Sequence, residues 1–366
     1  MTRKYIYENS NWREMQYNES ALHSLLIQLY KTQSKLFGKL DALGFEVQND
    51  LLLSSVSDEV VTSSEIEGET LNRSSVRSSV AKRLGLETAG IEDIPENYYT
   101  EGVVEIALDA TQNFASTLDE ERLFGWHSAL FPTGRSGIRR IHTGGYRKGD
   151  IEIVSGVMGK EKIHYKAPAP ELVKEEMKIF LNWLEANQNI DLYIKAGLAH
   201  LWFELIHPFD DGNGRIGRAI ADLMLARAEN TSKRYYSLSS QILKERKEYY
   251  KVLEMVSSYT NDVESWLIWF LGCLERAIDA SGEKIDKAKY KAVIYEQLRK
   301  TPLNTRQSKM LNMLIDDFEG KLTTSKWAKI CKCSHDTALR DIDDLIKKGI
   351  ISRSPKGGRS TAYELI

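Results

Sequence analysis

The chain has 366 residues, 42% of them hydrophobic and 28% charged, with a net charge of −2. That size predicts two or three domains with a full apolar core, and the near balance of charge argues against indiscriminate binding of nucleic acid or membrane by the whole molecule. The balance is uneven: residues 300–366 hold thirteen Lys/Arg against eight Asp/Glu, a net +5 that leaves −7 for residues 1–299. A basic C-terminal module on an acidic body points to a separate role with nucleic acid or an acidic partner. Three cysteines without framework spacing suit a reducing compartment. Cys331 and Cys333 form a C-x-C with no second ligand pair, so they read as ordinary helix-end residues and not as zinc ligands. No apolar h-region opens the chain and no apolar run reaches membrane length, so the expectation is a cytoplasmic protein with no membrane partner.

In chain order, "KYIYEN" reads as a short strand, followed by a helix near Asn18–Leu43 with Leu22, Leu25, Leu26, Leu29 and Leu36 at helical spacing. A second helical pattern runs from Asp50 to about Glu67 and stops at Gly68, a glycine placed just past a helix end. "RLGLETAGIEDIPEN" reads as a loop, and helices are expected near Tyr98–Ser116 and Asp119–Leu130. Two alternating runs, Ile151–Ser155 and Lys162–Lys166, predict a β-hairpin closed off by Pro168 and Pro170. Helices resume at Glu171–Glu185, Leu192–Ile206, Asn213–Ala228, Gln241–Ser258 and Asp262–Ala280, and a charged helical stretch follows. From Thr301 the pattern changes to three short helices, the last capped by Ser334 and ended by Gly349, then two strands around a Gly-rich tip. That is a winged helix-turn-helix layout. The expected fold is mostly α, in three parts: a helical N-terminal region (1–90), a helical core with a hairpin (91–285) and a small winged helix module (296–366).

The segment "HPFDDGNGRIGR", His207 to Arg218, holds more chemistry than a turn requires. Pro208 ends the preceding helix near Ile206, and the next begins near Asn213. Gly212 and Gly214 let backbone N–H groups approach a ligand, at a helix N-terminus that already favours an anion. Arg215 and Arg218 in the first turns oppose the helix dipole unless an anion compensates them. Asp211 is an oxygen ligand placed for Mg²⁺ bridging phosphates, and His207 can accept a proton near neutral pH. Taken singly, each feature has a plain structural explanation; the joint spacing points to transfer of a phosphate-containing group onto a hydroxyl.

These residues resemble the signature of the Fic family, H-P-F-x-[D/E]-G-N-G-R-x-x-R, at every specified position from His207 to Arg218. The resemblance implies AMP transfer from ATP to a side-chain hydroxyl of a target protein, with release of pyrophosphate. It also implies roles: His207 as general base, Phe209 as the loop's anchor, and Asp211 as the Mg²⁺ ligand. Gly212, Asn213 and Gly214 would form an anion hole, and Arg215 and Arg218 would grip the β- and γ-phosphates. The hairpin corresponds to the family's flap, which registers a target backbone, although the usual "IGG" wording is missing. Tyr249 and Tyr250 are candidate neighbours of adenosine, with core aromatic packing as the alternative.

Upstream, "SSEIEG" (Ser63, Glu67, Gly68) resembles the family's inhibitory pattern [S/T]-x-x-x-E-[G/N]. Ser63 and Glu67 share a helix face, and the implied logic is that Glu67 pairs with Arg218 and denies that fork to ATP. The leading expectation is therefore an autoinhibited protein adenylyltransferase acting on ATP and on a target protein, itself included. Removal of AMP, transfer of another group, and a homodimer stay open. The alternative is a DNA-binding regulator that reads DNA with Arg340, Arg353, Lys356 and Arg359. Asp336, Asp341, Asp343 and Asp344 on the same helix count against it.

Overall fold

The computed structural model describes residues 4–86, 98–155, 162–299, 301–315, 318, 320–354 and 361–366. They divide into two compact units, Met1–Glu283 and Lys284–Ile366.

The first unit is helical, as its periodicity predicts. Its opening is not a strand: a 3-10 turn, Ile6–Glu8, is flanked by isolated bridges from Tyr5 to Ser258 and from Gln16 to Asp262. Two neighbours therefore replace the one continuous partner strand that "KYIYEN" would need. Asn18 caps α1 (Glu19–Asp41) by accepting from the Ser20 N–H. The next helix, α2 (Phe45–Ile66), starts five residues earlier than Asp50 and ends at Glu67, with Gly68 at φ +84° just beyond. An unexpected helix, α3 (Arg73–Leu84), follows, its buried stripe of Val76, Ser79, Val80 and Ala81 too weakly apolar to show periodicity in the sequence. Of the expected loop after it, residues 87–97 lie outside the described residues. Helices α4 (Tyr98–Gln112) and α5 (Glu120–Leu130) follow, the latter capped by Asp119.

A two-residue hairpin, β1 (Arg135–Ser136) with β2 (Arg139–Arg140), precedes the larger one, β3 (Glu152–Ser155) with β4 (Lys162–Lys166). The larger pair is antiparallel, with a register shift between Ile153 and Val154; the turn expected at 156–161 lies outside the described residues. Next come α6 (Pro170–Glu185), α7 (Leu192–Ile206) and α8 (Asn213–Glu229). Thirteen of the fifteen residues of α7 and thirteen of the seventeen of α8 are buried, so this pair forms the centre of the unit.

The single helix expected over Gln241–Ser258 is two helices, α9 (Leu238–Lys244) and α10 (Arg246–Val256). They break at Glu245, whose carboxylate accepts from Arg276 Nε and Nη2, both at 2.7 Å, and from Gln241. The helix expected to end at Ala280 instead runs on through Gly282 as α11 (Glu264–Arg299); the charged stretch holds no proline, and a single glycine inside a helix is tolerated at a cost.

In the second unit, α12 (Thr305–Ile315), β5 (Leu322–Thr323), α13 (Thr324–Cys331), α14 (His335–Lys347), β6 (Ile351–Arg353) and β7 (Ala362–Leu365) enclose a core around Trp327, Ile342 and Leu345. The sheet is antiparallel in the order β5-β7-β6. Ser334 caps α14, and Gly349 follows its end at φ +68°. The tip that would carry Lys356 and Arg359 lies outside the described residues. Among the described residues no helix is long and apolar enough to cross a membrane.

Candidate active site

The site is built where α7 gives way to α8. Helix α7 stops because Pro208 cannot continue it, and His207 closes it in the left-handed region at φ 52°. Asn213 then shapes the loop. Its carboxamide oxygen accepts from Phe209 N–H at 2.9 Å and its nitrogen donates to Phe209 O at 2.8 Å. Phe209 is fully buried and stacks on the His127 ring, with centroids 4.1 Å apart. His127 Nδ1 accepts from Gly144 N–H at 3.1 Å, so Nε2 carries the proton it donates to Asp211 O at 3.2 Å. Burial pushes this imidazole down to about 4. Arg147, a residue to which the sequence reading gave no role, donates from Nε to His207 O at 2.8 Å, and its N–H bonds Pro208 O at 2.9 Å. The loop is thus tied on both sides before any ligand arrives.

His207 Nδ1 lies 3.4 Å from Glu204 O, which can only accept, so Nδ1 carries the proton and Nε2 the lone pair. Burial, first of all, holds the imidazole at about 4; the Glu204 carbonyl opposes this, and the Arg147 charge reinforces it. His207 therefore enters any reaction as a neutral base. It lines a cavity of about 730 Å³ with Glu67, Glu204, Gly214, Tyr249, Tyr250 and residues of both β3 and β4.

At the start of α8, Gly212 has φ +82°, a conformation that glycine adopts without strain. Two arginines lie below it, and both are buried. Arg215 donates to the Tyr99 hydroxyl, lies 3.4 Å from Asp211 Oδ1 and 3.7 Å from Glu69 Oε1, and rests over the Phe131 ring at 5.2 Å. Arg218 is 2% exposed. Its Nε donates to Ser63 Oγ at 2.9 Å, its Nη2 to Ser63 O at 2.8 Å, and Nη2 also meets Glu67 Oε1 at 2.9 Å. Its Nη1 is buried with no hydrogen-bond partner among the described residues. Burial is the largest influence and opposes the guanidinium charge, but Glu67, Tyr249 and Glu204 together outweigh it and raise the pKa.

The Glu67 carboxylate lies against the first turn of α8: a Cβ on Gly214 would collide with it. An acidic side chain from α2 thus occupies the place where a helix N-terminus and an arginine would seat an anion. The helix is held in this register from within. Glu59, two turns before Glu67, accepts from Ser237 Oγ at 2.8 Å and Ser239 N–H at 3.0 Å.

Asp211 is the candidate Mg²⁺ ligand. Its side chain is 41% exposed and accepts from Ser136 Oγ and from the Gly212 N–H. Among the described residues no group of three or more His, Cys, Asp or Glu could hold a metal. A lone, half-exposed carboxylate instead fits a cation that arrives on phosphates and keeps its waters. The two tyrosines differ in placement. Tyr249 is a core residue, its hydroxyl 3.0 Å from His200 Nε2. Tyr250 is 41% exposed, donates to Ile66 O at 3.3 Å, and lies beneath Arg246. One buried acid of the cavity, Glu204, was absent from the sequence-based candidates; a lone Glu in the apolar run "IKAGLAHLWFELI" was the available signal.

The Fic/DOC family model matches residues 117–225, a span that includes the whole loop and both arginines. This chain carries a Fic/DOC family domain. A domain of unknown function, DUF4172, matches residues 5–86, where the Glu67 helix lies. A probable protein adenylyltransferase of Aquifex aeolicus is 37% identical over 81 residues, covering 22% of this chain and 23% of that protein. A protein adenylyltransferase Fic of Aedes aegypti is 25% identical over 260 residues, 68% of this chain and 47% of that one. The chain spans less than half the length of the curated relatives it matches. A crystal structure of a Fic family protein from Desulfovibrio desulfuricans shares the fold, with a TM-score of 0.53 and 21% identity over 93% of this chain and 96% of that one.

Proposed function

We propose that this protein is a protein adenylyltransferase restrained by its own α2. The observation that carries the reading is the carboxylate of Glu67 at Gly214 and Arg218, because it marks an anion seat that is already filled. Four relations then define the chemistry. His207 Nε2 takes the proton of the target hydroxyl. The hydroxyl oxygen bonds to the α-phosphorus of ATP as the bond to the β-phosphate oxygen breaks, and pyrophosphate leaves. The N–H groups of α8 with Arg215 and Arg218 bind the phosphates and stabilise the charge that develops on them. Asp211 would hold Mg²⁺, which when bound neutralises phosphate charge.

With Glu67 in place, Arg218 keeps only Nη1 for a ligand, so ATP is seated without the full fork. The test is incubation of the Glu67→Gly protein with labelled ATP and native lysate, next to Glu67→Gly/His207→Ala. Label should pass to protein from the first and fall about 10²–10⁴-fold in the second, with ATP binding retained. Equal labelling by both would remove the assignment of His207.

The N-terminal region, core and C-terminal module are assigned as 1–90, 91–285 and 296–366, and the free cysteines favour the cytoplasm. For the C-terminal module, a winged helix that reads DNA is the second reading. It is supported by the pairing of two of the four α14 aspartates: Asp341 accepts from Arg306 Nε at 2.7 Å, and Asp344 from Lys348 at 2.6 Å. Their charge is thus compensated locally. Arg340→Ala in the full chain should weaken duplex binding in low salt, and no binding by the parent protein would assign the module to a protein partner.

A further inference from the structure

The transfer as proposed leaves one largely buried acid of the cavity without a task. Glu204 lies one turn before His207 at the end of α7, on the Nδ1 side of its ring. Its Oε2 is 3.9 Å from His207 Nδ1, and its own carbonyl is the acceptor that fixes the tautomer. Its Oε1 is buried and has no hydrogen-bond partner among the described residues. Helix α8 makes room for this group with Gly217, where a Cβ would lie 2.7 Å from Glu204 Oε1. The charged and titratable neighbours are Glu67 from α2, Arg218 from α8, Tyr249 from α10, and His200 and His207 from α7 itself. A buried carboxyl oxygen without a hydrogen-bond partner is costly to keep, and this group faces the nitrogen of the base that does not meet substrate.

We infer that Glu204 is a positioning residue for His207, holding the imidazole by its Nδ1 edge and, as a carboxylate, pairing with the imidazolium formed when Nε2 takes the hydroxyl proton. The inference rests on the adenylyl transfer proposed above. The balance is simple: the proton moves from the target hydroxyl to Nε2 and afterwards returns to solvent, while Glu204 changes only by its own titration. That titration falls in a useful place. Burial and, after it, the Glu67 charge push Glu204 up to about 8, with Arg218 opposing. Below that pH the carboxyl is neutral and supports the ring by position alone. Above it, the carboxylate raises the basicity of a histidine that burial otherwise holds at about 4.

Two measurements test this. In the wild-type chain with ¹³C-labelled histidine, the Cε1 resonance of His207, assigned by its loss in His207→Ala, should show an inflection near pH 8. Glu204→Gln should abolish that inflection and Glu204→Asp should keep one. In the Glu67→Gly background, AMP transfer should rise about tenfold between pH 6 and 9, with a midpoint below that of the wild-type resonance because the Glu67 charge that raises Glu204 is gone. Adding Glu204→Gln should flatten the profile and lower kcat about tenfold at pH 9, leaving KM for ATP unchanged. A wild-type His207 resonance with no inflection between pH 6 and 9, or a Glu204→Gln profile that tracks its parent, would overturn the inference. Should Glu67→Gly transfer no AMP at any pH, the adenylyltransferase reading fails, and the resonance titration still decides the coupling of Glu204 to His207 on its own.

Discussion

Replacing Glu67 by glycine removes one carboxylate from one guanidinium, so its effect can be bounded. The bond lost is charge-assisted, 2.9 Å long, and made by an arginine 2% exposed, while the Glu67 side chain keeps 32% of its surface open to water. Hydrogen bonds to charged groups contribute about 1.5–3 kcal/mol, and each 1.4 kcal/mol is about tenfold. Release of Arg218 should therefore raise transfer by about ten- to a hundredfold, with the exposure of Glu67 favouring the lower end. Arg218 does not swing free, because Ser63 still binds its Nε and Nη2. The freed guanidinium edge thus stays aimed at the start of α8, and activation needs no refolding of the loop. The assay is the initial rate of label transfer from ATP to the protein itself or to a lysate target, with ATP affinity measured by calorimetry for both forms. Equal rates with ATP bound to both would mean that the Glu67–Arg218 pair holds two helices together and regulates nothing.

Arg218→Ala should be inactive although it also breaks the inhibitory pair, and Glu67→Gly/Arg218→Ala should match it, since both residues act through one guanidinium. Activity in the double variant close to that of Glu67→Gly would show that Arg218 does not hold phosphate. Phe209→Ala should cost about 3–5 kcal/mol in chemical denaturation, because the ring is fully buried and stacked on His127; a loss below about 1 kcal/mol would disprove its anchoring role. Stability should also fall as pH drops from about 6.5, the ordinary histidine value, toward 4. Burial holds His127, His200 and His207 at about 4, so across that window the unfolded chain binds protons that the folded chain does not. His200→Gln should make the decline shallower, and an unchanged slope would contradict it.

The loop was legible because its residues constrain the backbone locally: Pro208 ends one helix, and Asn213 and Gly212 begin the next. The terminal helices were legible for a similar reason, with Ser334 and Gly349 as their punctuation. What sequence could not show is contact at long range. Tyr99 and Glu69 on Arg215, Ser136 on Asp211, Arg147 behind His207 and Glu59 under α9 carry no local signature. Helix α3 escaped notice because its buried face is built partly from serine and alanine. The break at Glu245 escaped because its side-chain partner, Arg276, lies thirty-one residues away.

The left-handed backbone of His207 sets the protein's chemistry against its durability. A non-glycine residue in that region costs on the order of 1–2 kcal/mol, and His207 is one of three such residues among those described. A selection for heat resistance alone would accordingly reward glycine or asparagine at 207, and each step toward a more stable fold there would discard the base. Robust natural or engineered relatives of this chain that carry glycine at this position would be scaffolds that had given up proton transfer, and thermal tolerance would be a poor guide to which of them are still enzymes.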